Sequence, residues 1–421
     1  RLRGPMLRND HGQLNVAGAL DLQSAGLSNR EGVIAHSGQD ITALKVEGTL
    51  DNTGGSLASN ATALAIDSGV LVNAEGKLLH AGRDGLQLTS ATVQGERGQI
   101  ATVGSLTLRA GQVDHQQGDL QAGTLDVQVR TLDNRGGQVL ATGMVGNRIT
   151  ATDLLDNDNG VLASNADLQL EADRLDNAAG QIQQAGSGAL QIHADTFAGA
   201  GGTLLSNGAL LLRGQQVDVA DGLTSAARID LAADQLDNRG GALVATGDDA
   251  LALAVRGALH NDGGRIIGNG ALAVQAGSLS NNGGELLAAG AAPSTVKVEG
   301  QLDNQRGTLA SAGDLRLVAA GLDNRGGTVQ AADAHALETD INGLLDNRDG
   351  GLVAASGAQQ LRAGRVDNRG GTVNAGGALQ MQVAQALDNT GGTVAANDGL
   401  RVLSNADRKS TRLNSSHSSI S

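Results

Sequence analysis

The sequence predicts an all-β chain folded as a parallel β-helix (solenoid) of about 19 coils, roughly 21 residues each. Three observations support this prediction: a turn phrase keeps its register along the chain, apolar and polar residues alternate between the turns, and aromatic residues are nearly missing. Among 421 residues there are 63 Gly, 2 Pro, 1 Phe and no Cys, Trp or Tyr. Ordinary domains anchor their cores on aromatic residues, so this composition favours many small aliphatic layers.

The turn phrase is Leu-Asp-Asn followed by two glycines, as in residues 322–327 (LDNRGG). Looser copies keep the same spacing, and degenerate copies fill the gaps at Gly95, His115, Gly199 and Val219. The register runs from Asn9 to Asn389 in 18 steps, which gives a mean step of about 21 residues. Single steps are often 20 residues or 22 to 23 residues long. Register kept over this distance indicates a repeat architecture.

The pattern within each period predicts short strands joined by corners. Residues 315–319 (LRLVA) alternate between apolar and polar, which is typical of a strand. The flanking Gly, Asn and Asp are turn residues, and repeated Gly disfavours a helix. Stacked coils would share one aliphatic core, with Leu309, Leu315, Leu317 and Leu322 pointing inward. At about 4.8 Å per coil, the prediction is a rod about 90 Å long.

A leucine-rich repeat is the main competing fold, since its period and its Leu and Asn spacing overlap this pattern. That repeat closes each turn with a helix or a 3₁₀ segment. Here Asn follows Leu by two residues, as in Leu322 and Asn324, and a Gly pair stands where the closing segment would begin. The pattern therefore favours the β-helix.

Residues 302–324 (LDNQRGTLASAGDLRLVAAGLDN) and 322–347 (LDNRGGTVQAADAHALETDINGLLDN) resemble the repeats of filamentous haemagglutinins. The related contact-dependent growth inhibition effectors of Gram-negative bacteria share these repeats, and the likeness covers nearly everything from Leu7 to Ala406. The resemblance implies a right-handed β-helical fibre on a large exoprotein, secreted or held at the cell surface. It implies virulence-related roles in adhesion, biofilm formation or delivery of a C-terminal toxin to a neighbouring bacterium.

The resemblance also implies a domain organisation and partners. Residues 1–407 are expected to be filamentous-haemagglutinin-type repeats, and residues 408–421 (RKSTRLNSSHSSIS) a non-repeat tail that resembles a translated adapter, the alternative being a disordered linker. Neither a leader, a secretion domain nor a toxin module is visible, so we expect an internal stretch of the stalk. The implied partners are an outer-membrane two-partner-secretion transporter, through a domain outside this sequence, and an unknown cell-surface receptor.

Composition disfavours other partners. A net charge of −14 without aromatic residues offers neither the basic patch nor the stacking platform of a nucleic-acid-binding protein. No apolar run approaches the length of a membrane span, so membrane insertion by this segment is not expected. The missing Cys excludes disulfides and thiolate metal sites.

The candidate site is a structural ladder of Asn side chains at one corner, hydrogen-bonded as in other cross-β stacks. Its predicted members are Asn52, Asn134, Asn177, Asn238, Asn304, Asn324, Asn347, Asn368 and Asn389. The Asp before each Asn forms a column of like charges, which repel by up to about 1 kcal/mol in water. The Arg after several of the Asn residues can offset this repulsion. Turn N–H groups or a bridging calcium ion remain alternatives.

No catalytic, cofactor-binding or metal-binding residue is predicted, and we expect no enzyme. Residues 156–160 (DNDNG) resemble a calcium loop, but Leu155 stands where an EF-hand needs a carboxylate. One alternative function is an adhesin whose rod surface binds a receptor. A β-helix polysaccharide lyase or hydrolase is disfavoured, because the repeats leave little room for long loops and no Tyr or Trp can stack on a sugar.

Overall fold

The computed structural model describes residues 1–404, and within this range every regular element is a β-strand. The prediction of an all-β parallel solenoid, with about 19 turns spaced near 21 residues, is confirmed. The described residues contain no helix to close the turns of a leucine-rich repeat. The hand of the coil stays a prediction, and the predicted tail at 408–421 lies outside the described residues.

The chain divides into two compact units, Arg1–Gly214 and Gln215–Ser421. In the first unit, long strands alternate with strands of four residues. Its strands β1 to β20 are Leu2–Arg8, Gln13–Val16, Asp21–Ser28, Val33–His36, Thr42–Asp51, Ser56–Ser59, Ala63–Val72, Lys77–His80, Gly85–Gln94, Gln99–Thr102, Ser105–Asp114, Asp119–Ala122, Thr124–Asp133, Gln138–Ala141, Asn147–Asp156, Val161–Ser164, Leu168–Asp176, Gln181–Gln184, Ala189–Ala198 and Thr203–Arg213.

The second unit follows the same alternation over residues 242–375 and is described as far as Ser404. Its strands β21 to β40 are Gln216–Asp218, Leu223–Ala233, Gln235–Asp237, Ala242–Ala245, Leu251–His260, Arg265–Gly268, Leu272–Ser280, Glu285–Ala288, Ser294–Asp303, Thr308–Ser311, Leu315–Asp323, Thr328–Ala331, Leu337–Asp346, Leu352–Ala355, Gln359–Asp367, Thr372–Ala375, Ala378–Val383, Leu387–Asp388, Thr393–Ala396 and Gly399–Ser404.

One coil consists of a short strand, a corner, a long strand with a bend, and the Asn turn. In the second unit, β30 and β31 form such a coil. Strand β31 pairs in parallel with β29 in the preceding coil and with β33 in the following coil. Stacking therefore satisfies the backbone groups that a single coil would leave unpaired.

The uneven steps of the repeat are absorbed at the corners and at the bend of the long strand. Leu315 pairs with Leu337, but after a register shift Leu322 pairs with Leu345. Strand β33 therefore holds one residue more than β31 between the same two core positions, as a β-bulge allows. Both strands keep Leu on the inside, and the core stays continuous.

Aliphatic side chains fill the interior of each unit. Leu309, Leu315, Leu317 and Leu322 are at most 2% exposed, as the alternation predicts. Phe197, the one aromatic residue of the chain, takes a Leu position, since it pairs with Leu175 in the preceding coil. Small layers of this kind stack without a large central side chain.

Polar residues of neighbouring coils take inward positions in the second unit at Thr339 and Gln359, which pair with Leu361 and Leu337. Thr339 is 0% exposed and Gln359 is 2% exposed. The hydroxyl of Thr339 and both amide atoms of Gln359 have no hydrogen-bond partner. A buried polar group without a partner costs about 1–3 kcal/mol, so these unpaired atoms oppose the stabilisation from the surrounding aliphatic side chains.

The two glycines of the turn phrase meet different demands. Gly326, the third turn residue, has φ of +62°, a left-handed conformation that L side chains adopt at a cost. Arg306 takes the same place one coil earlier with φ of +55°, so a side chain is tolerated there. Gly327, the fourth turn residue, has no positive φ, but a Cβ on it would lie 2.0 Å from the carbonyl oxygen of Asn304. Only Gly fits this place.

We expect Gly326→Ala and Gly327→Ala to differ sharply in stability. The first change adds left-handed strain of about 1–2 kcal/mol. The second forces two backbone segments apart and should cost more than about 4 kcal/mol or prevent folding. Urea denaturation of the two variants measures the difference, and equal losses would contradict the steric explanation.

Candidate functional site: the asparagine corner

Many of the long strands end in Asp, as β31 does at Asp323, and the next residue opens a tight turn. At Asn324 the turn closes through a hydrogen bond of 3.0 Å from the amide of Gly327 to the carbonyl of Asn324. The amide of Asn324 itself donates to the carbonyl of Asp346 in the next coil, at 2.7 Å. This backbone geometry turns the Asn side chain inward, where it is 0% exposed.

The buried carboxamides form a column along the stacked coils. The Nδ2 of Asn324 donates to the Oδ1 of Asn347 at 2.7 Å. The same nitrogen also lies 3.2 Å from the carbonyl oxygen of Gly327 and 3.1 Å from that of Leu352. Each amide therefore donates to the following coil and accepts from the preceding one.

Within residues 1–404 the column consists of three uninterrupted runs, with amide-to-amide distances of 2.6–2.8 Å. Two runs lie in the first unit and one in the second. The runs are Asn9, Asn29, Asn52 and Asn73; Asn134, Asn157 and Asn177; and Asn238, Asn261, Asn281, Asn304, Asn324, Asn347, Asn368 and Asn389. All nine residues named from the sequence lie in these runs, and each is at most 2% exposed.

Each break in the column leaves an acceptor unpaired. Asn134 and Asn238 each open a run, and their Oδ1 atoms are buried without a hydrogen-bond partner. In the first unit, His115 stands in the turn before Asn134. Its ring is 1% exposed and reaches the carbonyl oxygen of Gln138 at 3.3 Å through Nε2. Burial lowers the pKa of His115, so the ring is neutral at neutral pH.

A ladder of charges runs beside the Asn column in the second unit. Arg348 lies 2.7 Å from Asp346 in its own turn and 3.7 Å from Asp367 in the next coil. Arg369 repeats the arrangement, at 2.8 Å from Asp367 and 3.8 Å from Asp388. Arginine charges therefore alternate with carboxylates along the axis, and their attraction offsets the repulsion expected of an Asp column alone.

The pKa of Asp367 shows the balance of these forces. Burial raises the pKa of its carboxyl, but the hydrogen bonds and charge of Arg369 and the charge of Arg348 outweigh burial. The net pKa lies below the ordinary value of 3.8. Asp367 is therefore ionised at neutral pH although it is only 7% exposed.

Asp156 in the first unit differs from Asp367, because its pKa is raised above the ordinary value. Asp158 stands where other turns have Arg, so the only arginine that pairs with Asp156 among the described residues is Arg135 of the preceding coil, at 3.4 Å. Burial raises the pKa of Asp156, and the charges of Asp158 and Asp133 raise it further. The Oδ1 of Asp156 accepts from the amide of Asp158 at 3.1 Å, and the Oδ1 of Asp158 accepts from the amide of Ala178 at 2.7 Å. These contacts hold both carboxylates to backbone groups.

In residues 1–404 no three His, Asp or Glu side chains lie close enough to one another to hold a metal ion. None of the described residues belongs to a helix with the length and apolar character needed to cross a membrane. The corner uses its donors and acceptors for stacking, apart from the two unpaired amide oxygens.

Comparison with known proteins gives one finding. The family model of the haemagglutinin repeat matches the chain in eight segments, most of them overlapping: residues 5–54, 38–125, 120–159, 146–187, 185–263, 249–304, 291–349 and 354–418. Proteins with this repeat are generally secreted or on the cell surface, and the repeat is typically structural or adhesive rather than enzymatic. Among curated proteins and solved structures, none is detectably similar to the chain.

We expect Asn324→Ala to destabilise the protein, because it leaves the Oδ1 of Asn347 buried without a donor. One such orphan costs about 1–3 kcal/mol. The matched control is Asn342→Ala, since Asn342 is exposed in the following coil and should lose little. Urea denaturation of both variants tests this, and equal losses would show that the column adds no stability.

The Arg369→Gln variant should reveal a pH-dependent contribution. The pKa of Asp367 is lowered in the folded chain, so the ion pair stabilises above the unfolded pKa and its contribution is lost as pH falls through the folded pKa. Arg369→Gln is therefore expected to be less stable than the parent at neutral pH, with a difference that shrinks toward about pH 2–3.

The control for this pH series is Arg365→Gln. Arg365 is exposed on the same coil, and none of the ion pairs found in residues 1–404 includes it. Denaturation midpoints of the three proteins are measured across the pH range. A deficit of Arg369→Gln that stays constant with pH would argue against the ion pair as its cause.

Proposed function

Because the chain belongs to the haemagglutinin-repeat family, we propose that it is a rigid stalk segment of a large secreted bacterial adhesin or toxin-delivery exoprotein. The segment would stand outside a Gram-negative cell and perform no chemistry of its own. Export would use an outer-membrane two-partner-secretion transporter that recognises a different part of the protein.

The observation that supports this proposal most is the Asn corner itself. Its inward side chains hydrogen-bond to the coils above and below, as Asn324 does with Asn347 and Leu352. A corner occupied by stacking contacts supplies stiffness rather than a binding site. Repeat architectures of this kind add length coil by coil, because each repeat packs on its neighbours.

Small-angle X-ray scattering of the purified chain tests the stalk. We expect an elongated particle, with a length set by about 4.8 Å per coil. Scattering that fits a compact globule would refute the proposal.

The alternative function, an adhesin whose own surface binds a receptor, predicts a different result in a binding experiment. Labelled chain is titrated onto host and bacterial cells. A passive stalk shows no saturable binding. Saturable binding that unlabelled chain competes away would make this segment the adhesive part.

A further inference from the structure

A tripeptide in the first unit has the sequence of an N-glycosylation acceptor. Asn60-Ala61-Thr62 fits the pattern of Asn, any residue except Pro, then Ser or Thr. No other Asn in residues 1–404 is followed in this way. A second such triplet, at residues 414–416, lies outside the described residues. The motif is short, so its placement in the fold decides whether a sugar could be carried there.

Asn60 lies at the corner between strands β6 and β7. Its backbone amide donates to the carbonyl of His36 at 2.9 Å, and the amide of Ala61 donates to the hydroxyl of Ser59 at 3.2 Å. Ala61 is 0% exposed, whereas Asn60 is exposed. The corner thus buries the middle residue of the triplet and leaves the Asn on the surface.

The side-chain amide of Asn60 has no hydrogen-bond partner among the described residues, unlike three of its counterparts at the same corner. Asn165 donates through Nδ2 to the carbonyl of Thr142 at 3.0 Å. Asn207 and Asn269 make similar bonds of 2.7 Å.

Asn397, at this corner in the second unit, forms no side-chain hydrogen bond within residues 1–404 either, but Gly399 stands where the pattern needs Ser or Thr. Asn60 is therefore the member of this set that fits the pattern and whose Nδ2 can carry a substituent without loss of a stacking contact.

A groove next to Asn60 offers space for a sugar. It has a volume of about 530 Å³ and is lined by small or uncharged side chains, including Ala58, Ala101 and Gln121. Val103, also on its lining, is 73% exposed. A sugar ring presents apolar C–H groups and hydroxyls. The Ala methyl groups of the lining can contact the C–H groups, and the Gln121 amide can hydrogen-bond to a hydroxyl.

We propose that Asn60 carries an N-linked glycan. The Nδ2 atom attacks the anomeric carbon of a glycosyl phosphate donor, activated by a nucleotide or a lipid. The C–N bond forms, the bond from that carbon to the phosphate oxygen breaks, the phosphate leaves with the electron pair, and Nδ2 gives up a proton. A separate transferase acts before this coil folds, because Ala61 is buried and the Thr62 hydroxyl is bonded to the Gln39 carbonyl at 2.6 Å.

Peptide mapping tests the proposal on full-length protein from its natural source. Trypsin releases residues 46–77, which hold Asn60, and residues 149–174, which hold Asn165 without a following Ser or Thr. We expect mass spectrometry to find hexose or a longer glycan on the first peptide and none on the second. An unmodified first peptide, or a glycan on the second, overturns the proposal.

Variants expressed in the same organism distinguish N-linked glycosylation of Asn60 from other covalent modifications of the same peptide. Asn60→Gln and Thr62→Ala should abolish the added mass, while Thr62→Ser should keep it. Mass that persists in Thr62→Ala overturns the assignment. The outcome is independent of the stalk proposal, which depends on particle length and cell binding.

Discussion

At the Asn corner, the backbone of one coil lies so close to the backbone of the next that no side chain fits at the fourth turn position. A Cβ on Gly284, Gly327 or Gly392 would lie 2.0 Å from the carbonyl oxygen of the Asn one coil earlier. Gly takes the fourth position in the sequence of all 19 turns, whereas Asn takes the first position in 15 of them. In the longer turn at Asn347 the close contact falls on the next residue, Gly351. Close backbone contact is therefore the stricter requirement, and the amide column depends on it.

The coils continue where the amide column is interrupted, which separates the two contributions. At Gly95 and His115 the backbone amides still donate to the carbonyls of Asp114 and Asp133 in the next coil, both at 2.7 Å. The backbone bond thus forms without an Asn side chain. A carboxamide adds to it because one group donates and accepts along the same axis, so identical residues satisfy one another.

The fold was predictable because periodicity and alternation are properties of the sequence itself. The position of the extra residues in the longer repeats was not predictable. A repeat of 23 residues does not show whether its additional residues lie in a corner or in a β-bulge. The shift between Leu315 and Leu322 became visible only through strand pairing.

At the candidate site, the Asn and Asp columns were predictable because the same residue types recur at the same place in each repeat. The contact of Arg348 with a carboxylate of the following coil depends on side-chain reach, which spacing does not encode.

Stacking also explains why differences between coils concentrate on the outer surface. An inward Leu or Asn touches equivalent residues above and below, so a change there disturbs three coils. An outward residue such as Ala58, Leu79 or Ala101 occupies the same position in successive short strands, yet its size varies. Only its exposed neighbours are affected when that size changes. Such a surface can acquire a groove, a sugar or a receptor contact on a few coils while the remaining coils keep their stacking.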